Sequence, residues 1–452
     1  MAELERAFNL KLSPAGEALK EKLLAKSAAV AIIGSGYVGL PLAVALASAG
    51  LAVHCIDTNP ERVHLINAGQ SYIPDVAGSE LARFVQSGML QATNDFAGLG
   101  EADLILVCVP TPLTQTKDPD TTAITAAAEQ IAAHLRPGQL IAVESTTYPG
   151  TVQELFLPRL TASGLQVGTD FFLCHSPERV DPGNTLVTTR TTNKVVGGCT
   201  PACLALAEHL YAQIVAEVVP VSSPTVAELT KLFENTYRAV NIALVNELAL
   251  LCERMELDVW EVVAAASTKG FGIQTFWPGP GVGGHCIALD PHYLAWKARE
   301  YDFAVRFVEL ASTINQTMPA FVKEKLVRVL GEAGKPLRGA EILIVGVAYK
   351  RDIPDVRESP ALKVIQLLQK EGARVLYHDP YVPALQPQGW FKGQLESVAL
   401  TAERLQASDA VVITTDHAIV DYDAICRVAP IVLDTRNATK GVVGACAKIV
   451  KL

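Results

Sequence analysis

The chain has no run of about eighteen apolar residues, so no transmembrane helix is predicted. Its nearest approach, AVNIALVNELALLC at 239–252, is broken by two asparagines and a glutamate. Positive charge is also in short supply: 38 Lys and Arg face 47 Asp and Glu, a net charge of −9. That balance argues against nucleic acid or an anionic membrane as partner, and an anionic ligand needs a local basic pocket. There is no Cys-x-x-Cys. Of nine cysteines only Cys199 and Cys203 fall close together, without a histidine pair, so no metal site is expected. The opening MAELERAFNL lacks the apolar core of a secretory signal. Scattered cysteines without a signal suit a reduced, cytoplasmic protein. With 50% hydrophobic and 19% charged residues the composition is that of a globular enzyme, and 452 residues allow two or three domains.

What is present begins with AAVAIIGSGYVGLPLAVALASAGLAVHCID at 28–57, after a helix-prone leader at 1–27. It reads as strand, glycine turn, helix, strand and acid. Gly34, Gly36 and Gly39 form G-x-G-x-x-G. The first permits the turn, the second lets a pyrophosphate approach the backbone, and the third lets helix pack on strand. Amides at the helix start can hold the phosphates. Asp57, at the end of the second strand, can bond the ribose hydroxyls, which favours NAD over NADP; Arg62 blurs that preference. Two further apolar runs, ADLILVCVPTP (102–112) and QLIAVESTTYPG (139–150), place Thr111 and Thr146 just past strand ends, where open α/β sheets bind ligands. DFFLCHSPERVDPGNT (170–185) is another strand, with Glu178 and Arg179 in its polar exit.

From Thr225 to Lys269 there is neither Gly nor Pro, and a helix of some thirty residues is predicted there. Ser222, Ser223 and Pro224 supply its start. A helix this long suggests a domain spine or a subunit contact. Lys231 and Asn235 are one turn apart on it. The last third repeats the opening pattern. GAEILIVGVAYK (339–350) and SPALKVIQLLQKEGARVLYHDP (359–380) give strand, loop, helix, strand and Asp379, without the G-x-G-x-x-G. A second α/β domain for a different nucleotide is expected, with Lys350, Arg357 and Arg436 at strand ends or in the loop, suited to a pyrophosphate or an acid product.

FWPGPGVGGHCIALDP (276–291) crowds four glycines and three prolines around Cys286. It is expected to be neither helix nor central strand. A thiol beside an NAD domain suits aldehyde oxidation: a thiolate adds to the aldehyde, and loss of hydride leaves a thioester for water to cleave. Nearby amides or a cation would lower its pKa, and glycine amides could hold an oxyanion.

GSGYVGLPLA, VPTPL, the Lys231–Asn235 helix, GPGVGGHCIALDP and GVAYKRDIPDVRES together resemble the UDP-glucose/GDP-mannose dehydrogenase family, over about residues 28–445. The resemblance implies a cytoplasmic, dimeric or larger enzyme that oxidises the C6 alcohol of a UDP-sugar to a carboxylate with two NAD⁺. It implies two Rossmann-like domains, NAD-binding at 28–220 and UDP-sugar-binding at 326–452, joined by a central helical domain at 221–325. By resemblance Cys286 is the nucleophile. Lys231, Asn235 and Asp290 handle protons, bind water and stabilise oxyanions, and Thr146 and Glu178 lie at the reacting centre. Gly34, Gly36, Tyr37, Val38, Gly39, Asp57, Arg62, Thr111, Thr146 and Arg357 fall on the NAD side. Gly279, Gly281, Gly283, Lys350, Arg436, Glu178, Arg179, Lys231 and Asn235 fall on the sugar side. The Gly-Gly-His-Cys loop is similar to the bacterial branch acting on UDP-N-acetylhexosamines, with UDP-GlcNAc ahead of UDP-ManNAc and UDP-glucose, for surface polysaccharide synthesis. Two positions depart from the pattern: Glu144, where many members have Lys, and Pro182, where some have a second Glu. A two-electron dehydrogenase, a non-catalytic NAD or nucleotide sensor and a helical scaffold are the rival readings.

Overall fold

The computed structural model describes residues 10–114, 116–179 and 190–452, and of His285 and Cys286 the backbone alone. Pro182 lies outside the described residues, as do residues 1–9 of the leader. Two compact units result, Met1–Phe233 with His292–Asp302, and Glu234–Pro291 with Phe303–Leu452.

The first unit is built on eight strands: β1 Ala29–Ile33, β2 Ala52–Ile56, β3 Leu90–Thr93, β4 Leu104–Val107, β5 Leu140–Val143, β6 Phe172–His175, β7 Lys194–Gly198 and β8 Val218–Val221. Their order is β3-β2-β1-β4-β5-β6-β7-β8. The side-chain period of two sends Val30 and Ile32 to one apolar layer and Ala31 and Ile33 to the other, so both faces are buried under helices. β1 pairs with β2 and β4, and β4 with β5, all parallel. One pairing differs: β7 runs antiparallel to β6, with Cys174 opposite Gly198 and His175 opposite Gly197. The first residue of β7, Lys194, is therefore brought to the edge of the sheet where β5 and β6 finish.

The second unit carries a five-stranded parallel sheet, ordered β10-β9-β13-β14-β15. The strands are β9 Glu341–Val345, β10 Arg374–His378, β13 Ala410–Ile413, β14 Ile431–Asp434 and β15 Lys448–Lys451, with β11 Ala384–Leu385 and β12 Leu395–Glu396 as a small ribbon. Alternation along β9 again feeds two layers, Ile342 and Ile344 on one side, Leu343 and Val345 on the other. The long helix is Pro224–Met255, and its start is capped by Ser223, whose Oγ accepts the Val226 N–H. The unit division falls within it.

The expectation of a non-helical 276–291 is corrected in part. The glycine loop ends at Gly284, and a helix runs from His285 to Ala298 with Pro291 inside it. The glycines lie before residue 285, and HCIALD contains nothing that opposes helix. A proline removes one donor but permits the helix on either side.

The expected repeat is visible in atomic detail. Gly34 has φ +93° and donates its N–H to Ile56; Gly346 has φ +81° and donates to His378. A Cβ on Gly34 would lie 2.6 Å from the Cys108 carbonyl oxygen, and one on Gly346 would lie 2.3 Å from that of Thr415. Gly346→Ala therefore meets both a left-handed backbone and a clash. It is expected to destabilise the protein by about 2–3 kcal/mol, read as a lower urea midpoint; an unchanged midpoint would mean that the turn relaxes freely.

Candidate active site

In the first unit the glycine turn closes on an acid. The Ser35 N–H donates to Asp57 Oδ2 at 2.8 Å, the Asn59 N–H to Oδ1 at 2.9 Å, and Arg62 Nη1 lies 3.4 Å from Oδ2. The three glycines differ as a dinucleotide site requires. A Cβ on Gly39 would be 1.9 Å from the Gly34 carbonyl oxygen, so that position must let helix and turn touch. A Cβ on Gly36 would meet nothing within 4 Å, so space lies open above that backbone for a pyrophosphate. These residues fit NAD. Tyr37 is exposed and Val38 partly so. Thr111 is buried beyond β4, and its carbonyl accepts the Tyr293 hydroxyl at 2.5 Å. Thr146, beyond β5, is half-buried.

Beside Thr146 is a charged cluster that the sequence did not announce. Lys194 donates to Glu144 Oε2 at 2.5 Å and lies 3.5 Å from Glu178 Oε2. The Tyr211 hydroxyl bonds Glu144 Oε1. Lys194 is 3% exposed and Glu144 1%. Burial works to deprotonate Lys194, but the two carboxylates hold its pKa above the usual lysine value. The charge left open by Glu144 in the sequence is thus answered by Lys194. Arg179 donates its backbone N–H to Glu178 and its guanidinium to the Asn193 carbonyl. Lys231 is buried on the long helix. One turn before it, Glu228 accepts the N–H groups of Gly150 at 2.5 Å and Val152 at 2.9 Å, fastening the helix to the turn after Thr146.

The second unit contains the glycine loop and the remaining candidates. Asn235 Nδ2 donates to Asp290 Oδ2 at 2.5 Å, both side chains buried. The Gly279 N–H donates to Asn246 Oδ1 at 3.0 Å, and Asn246 Nδ2 donates to Asn315 Oδ1 at 2.9 Å. The Gly284 N–H donates to the Arg357 carbonyl at 3.0 Å. Cβ atoms on Gly279, Gly281 and Gly283 would lie 2.7 Å from Arg436 Nη1, 3.1 Å from Pro360 Cβ and 2.6 Å from Tyr349 Cβ. Arg436 also approaches Asp416, Nε to Oδ1, at 3.5 Å. Lys350 is half-buried after β9. The Arg357 guanidinium, expected on the NAD side, is engaged by Asp355 of its own unit, with Nη2 to Oδ2 at 2.5 Å. Cys286 is in the first turn of its helix. Among the described residues no group of His, Cys, Asp or Glu is placed to hold a metal ion, and no helix is long and apolar enough to cross a membrane.

The NAD-binding domain of the UDP-glucose/GDP-mannose dehydrogenase family matches residues 28–215, its central domain 225–317 and its UDP-binding domain 343–441. A UDP-N-acetyl-D-mannosamine dehydrogenase of Pyrococcus horikoshii is 35% identical, over 91% of this chain and 96% of its own. The chain belongs to the UDP-glucose/GDP-mannose dehydrogenase family. It is an NAD-dependent nucleotide-sugar dehydrogenase. A UDP-N-acetyl-D-glucosamine 6-dehydrogenase of Pseudomonas aeruginosa is 36% identical, over 79% of this chain and 84% of its own. The solved UDP-D-ManNAc dehydrogenase of Pyrococcus horikoshii superposes with a TM-score of 0.84 at 32% identity, covering 94% of this chain and 98% of that one. The family accounts for the two nucleotide-binding sheets and for the glycine loop.

Sequence reasoning missed Lys194, Glu228, Tyr293 and the Asn246–Asn315 pair. Glu228 gives a pH signature. Burial pushes its pKa up to about 7, against the two amides that favour the charged form. A carboxyl raised on folding binds its proton more tightly in the native state. Its contribution is greatest below the ordinary carboxylate pKa and is lost as pH rises towards 7. Glu228→Gln does not titrate. Its stability relative to wild type is expected to improve by about 1–3 kcal/mol between pH 5 and pH 8, measured as melting curves of both proteins. Parallel curves would show that Glu228 is ionised throughout.

Proposed function

We propose that the protein oxidises the C6 alcohol of a UDP-N-acetylhexosamine, UDP-GlcNAc by preference, to the carboxylate, as a precursor for surface polysaccharide. In balance, the alcohol, water and two NAD⁺ give a carboxylate, two NADH and three protons. The observation that carries this reading is the buttressed loop. Gly279, Gly281, Gly283 and Gly284 are packed against Arg436, Pro360 and Tyr349 of the UDP-binding domain, and the chain then turns straight into a helix at Cys286.

NAD⁺, when bound on the Gly34–Gly39 turn, accepts the two hydrides. The chain's own groups do the rest. Asp290, fixed by Asn235, and Lys231 handle the protons of the alcohol and of the attacking water. Cys286 adds to the C6 aldehyde, and its place in the first turn of a helix favours the thiolate. The thioester carbonyl then awaits water, with glycine amides to steady the oxyanion. Glu178, at the exit of β6, supplies a further carboxylate for proton transfer at the reacting carbon. Arg436 and Lys350 suit the diphosphate as cations in an acidic protein. The relative from Pseudomonas aeruginosa supports the UDP-GlcNAc preference; the one from Pyrococcus horikoshii favours UDP-ManNAc as the second reading.

The enzyme is proposed to act as a homodimer. On the long helix Val226, Leu229, Phe233, Tyr237, Leu244, Leu251 and Met255 are exposed at spacings of three, four and seven, an apolar stripe of the kind a second copy covers. Leu244→Glu with Leu251→Glu is expected to halve the mass found by light scattering; an unchanged mass would place the contact elsewhere.

NADH formed per sugar consumed, with UDP-GlcNAc, UDP-ManNAc and UDP-glucose in parallel, tests the chemistry. Two per UDP-GlcNAc, with the others slow, is expected. Cys286→Ala should bind NAD and sugar but release no acid, and acid at the wild-type rate from that variant would falsify the thioester route.

A further inference from the structure

The buried cluster of Lys194, Glu144 and Tyr211 has no part in the chemistry described above, yet it reaches Glu178. Its position follows from the topology. β5 and β6 finish side by side in parallel, with Val143 level with His175. Glu144 follows the one and Glu178 leaves the other. β7 returns antiparallel, held by the Ser176 hydroxyl donating to the Val195 carbonyl at 2.9 Å. That reversal delivers an ammonium group to the two carboxylates.

We propose that Lys194 is a positioning residue for Glu178: it fixes the orientation of that carboxylate and keeps it ionised for proton transfer. Glu144 and Tyr211 in turn hold Lys194. This role rests on the proposed placement of Glu178 at the reacting carbon.

The geometry carries the argument. The Lys194 ammonium lies between two carboxylates, 2.5 Å from Glu144 and 3.5 Å from Glu178. Glu144 is fully enclosed, while Glu178 keeps 14% of its side chain exposed. The enclosed carboxylate is also bonded by Tyr211. It serves as an anchor, and the accessible one is the member that can meet a substrate. Three other titratable groups facing the cluster, His175, Cys108 and Tyr211, add no charge. His175 is pushed down to about 3 by burial and by Lys194, so its ring is neutral. Burial keeps the Cys108 thiol and the Tyr211 hydroxyl protonated. Arg179 turns its guanidinium to the Asn193 carbonyl. Burial works to raise the pKa of Glu144, while the Lys194 ammonium and the Tyr211 hydroxyl favour its charged form. Among the described residues Lys194 and Glu144 therefore act on the Glu178 proton in opposite senses.

That opposition makes the role testable with the full-length enzyme, NAD⁺ and UDP-GlcNAc, or whichever UDP-sugar the stoichiometry assay prefers. Lys194→Met should lower kcat by about ten- to a hundredfold with little change in KM for the sugar. It should also move the acid limb of the kcat profile up by about one pH unit, because the carboxylate loses its cation. Lys194→Arg should restore most of the rate. Glu144→Gln removes the competing anion, so its acid limb should move the opposite way, to lower pH; this variant keeps the test open if Lys194→Met does not fold. Glu178→Gln should lose about a hundredfold in kcat, and adding Lys194→Met to it should cost no more. Wild-type kcat in Glu178→Gln would overturn the placement of Glu178 and this role with it. Loss in Glu178→Gln alone, with Lys194→Met and Glu144→Gln leaving the acid limb in place, would overturn the role of Lys194 and leave Glu178 standing.

Discussion

A carboxylate at the end of a second strand, accepting backbone N–H groups from the turn after the first, is the constraint on which both sheets depend. In the first unit Asp57 accepts from Ser35 and Asn59. In the second, Asp379 accepts from Val347, Ala348, Tyr381 and Val382, and from His417 at 3.0 Å. Burial works to raise the pKa of Asp379, but His417 and the amides hold it below the usual carboxylate range. The difference in partners matches a difference in use. Asp57 answers two amides and keeps an arginine at 3.4 Å, leaving acceptor capacity for a ribose. Asp379 is spent on its own turn, where there is no G-x-G-x-x-G for a dinucleotide to occupy. The same device leaves an acceptor open in the first sheet and is saturated by its own unit in the second.

Much of this was legible because it is local. Strand, turn, helix, strand and acid follow one another within about thirty residues, and each step has its own residue chemistry. The long helix was legible for the same reason, as a stretch free of Gly and Pro. What escaped was set by distance in sequence. Lys194 and Glu144 are fifty residues apart, and only the reversal of β7 brings them together. Asn246 and Asn315 are on separate helices, and nothing in either helix marks an asparagine as a buried partner. The helix at His285–Ala298 is masked in the sequence for a different reason: the glycines of 279–284 and the proline at 291 bracket a short run that is free of both.

The family resemblance supplied roles, and the geometry adds reasons. Asn235 and Asp290 are fifty-five positions apart yet share a hydrogen bond of 2.5 Å in a buried setting. A buried carboxylate without such a donor would carry a large desolvation cost. The amide offers a donor that answers the acid without adding a charge to the buried setting. Likewise the buried Lys194 is tolerable because two carboxylates face it, and the same arrangement gives the more accessible of them a fixed field.

The glycine loop is constrained by what packs against it. Cβ atoms on Gly283 and Gly284 would collide with Tyr349, one on Gly281 would press on Pro360 at 3.1 Å, and one on Gly279 would displace the Arg436 guanidinium. Gly281 and Gly284 also hold φ of +134° and +83°, conformations that other residues adopt only under strain. The backbone path is therefore constrained by packing within its own unit. Asn246 and Asn315 hold its first part in register from the helices. Trp277, just before the first of these glycines, is stacked on Trp260, so the entry to the loop is held by packing as well.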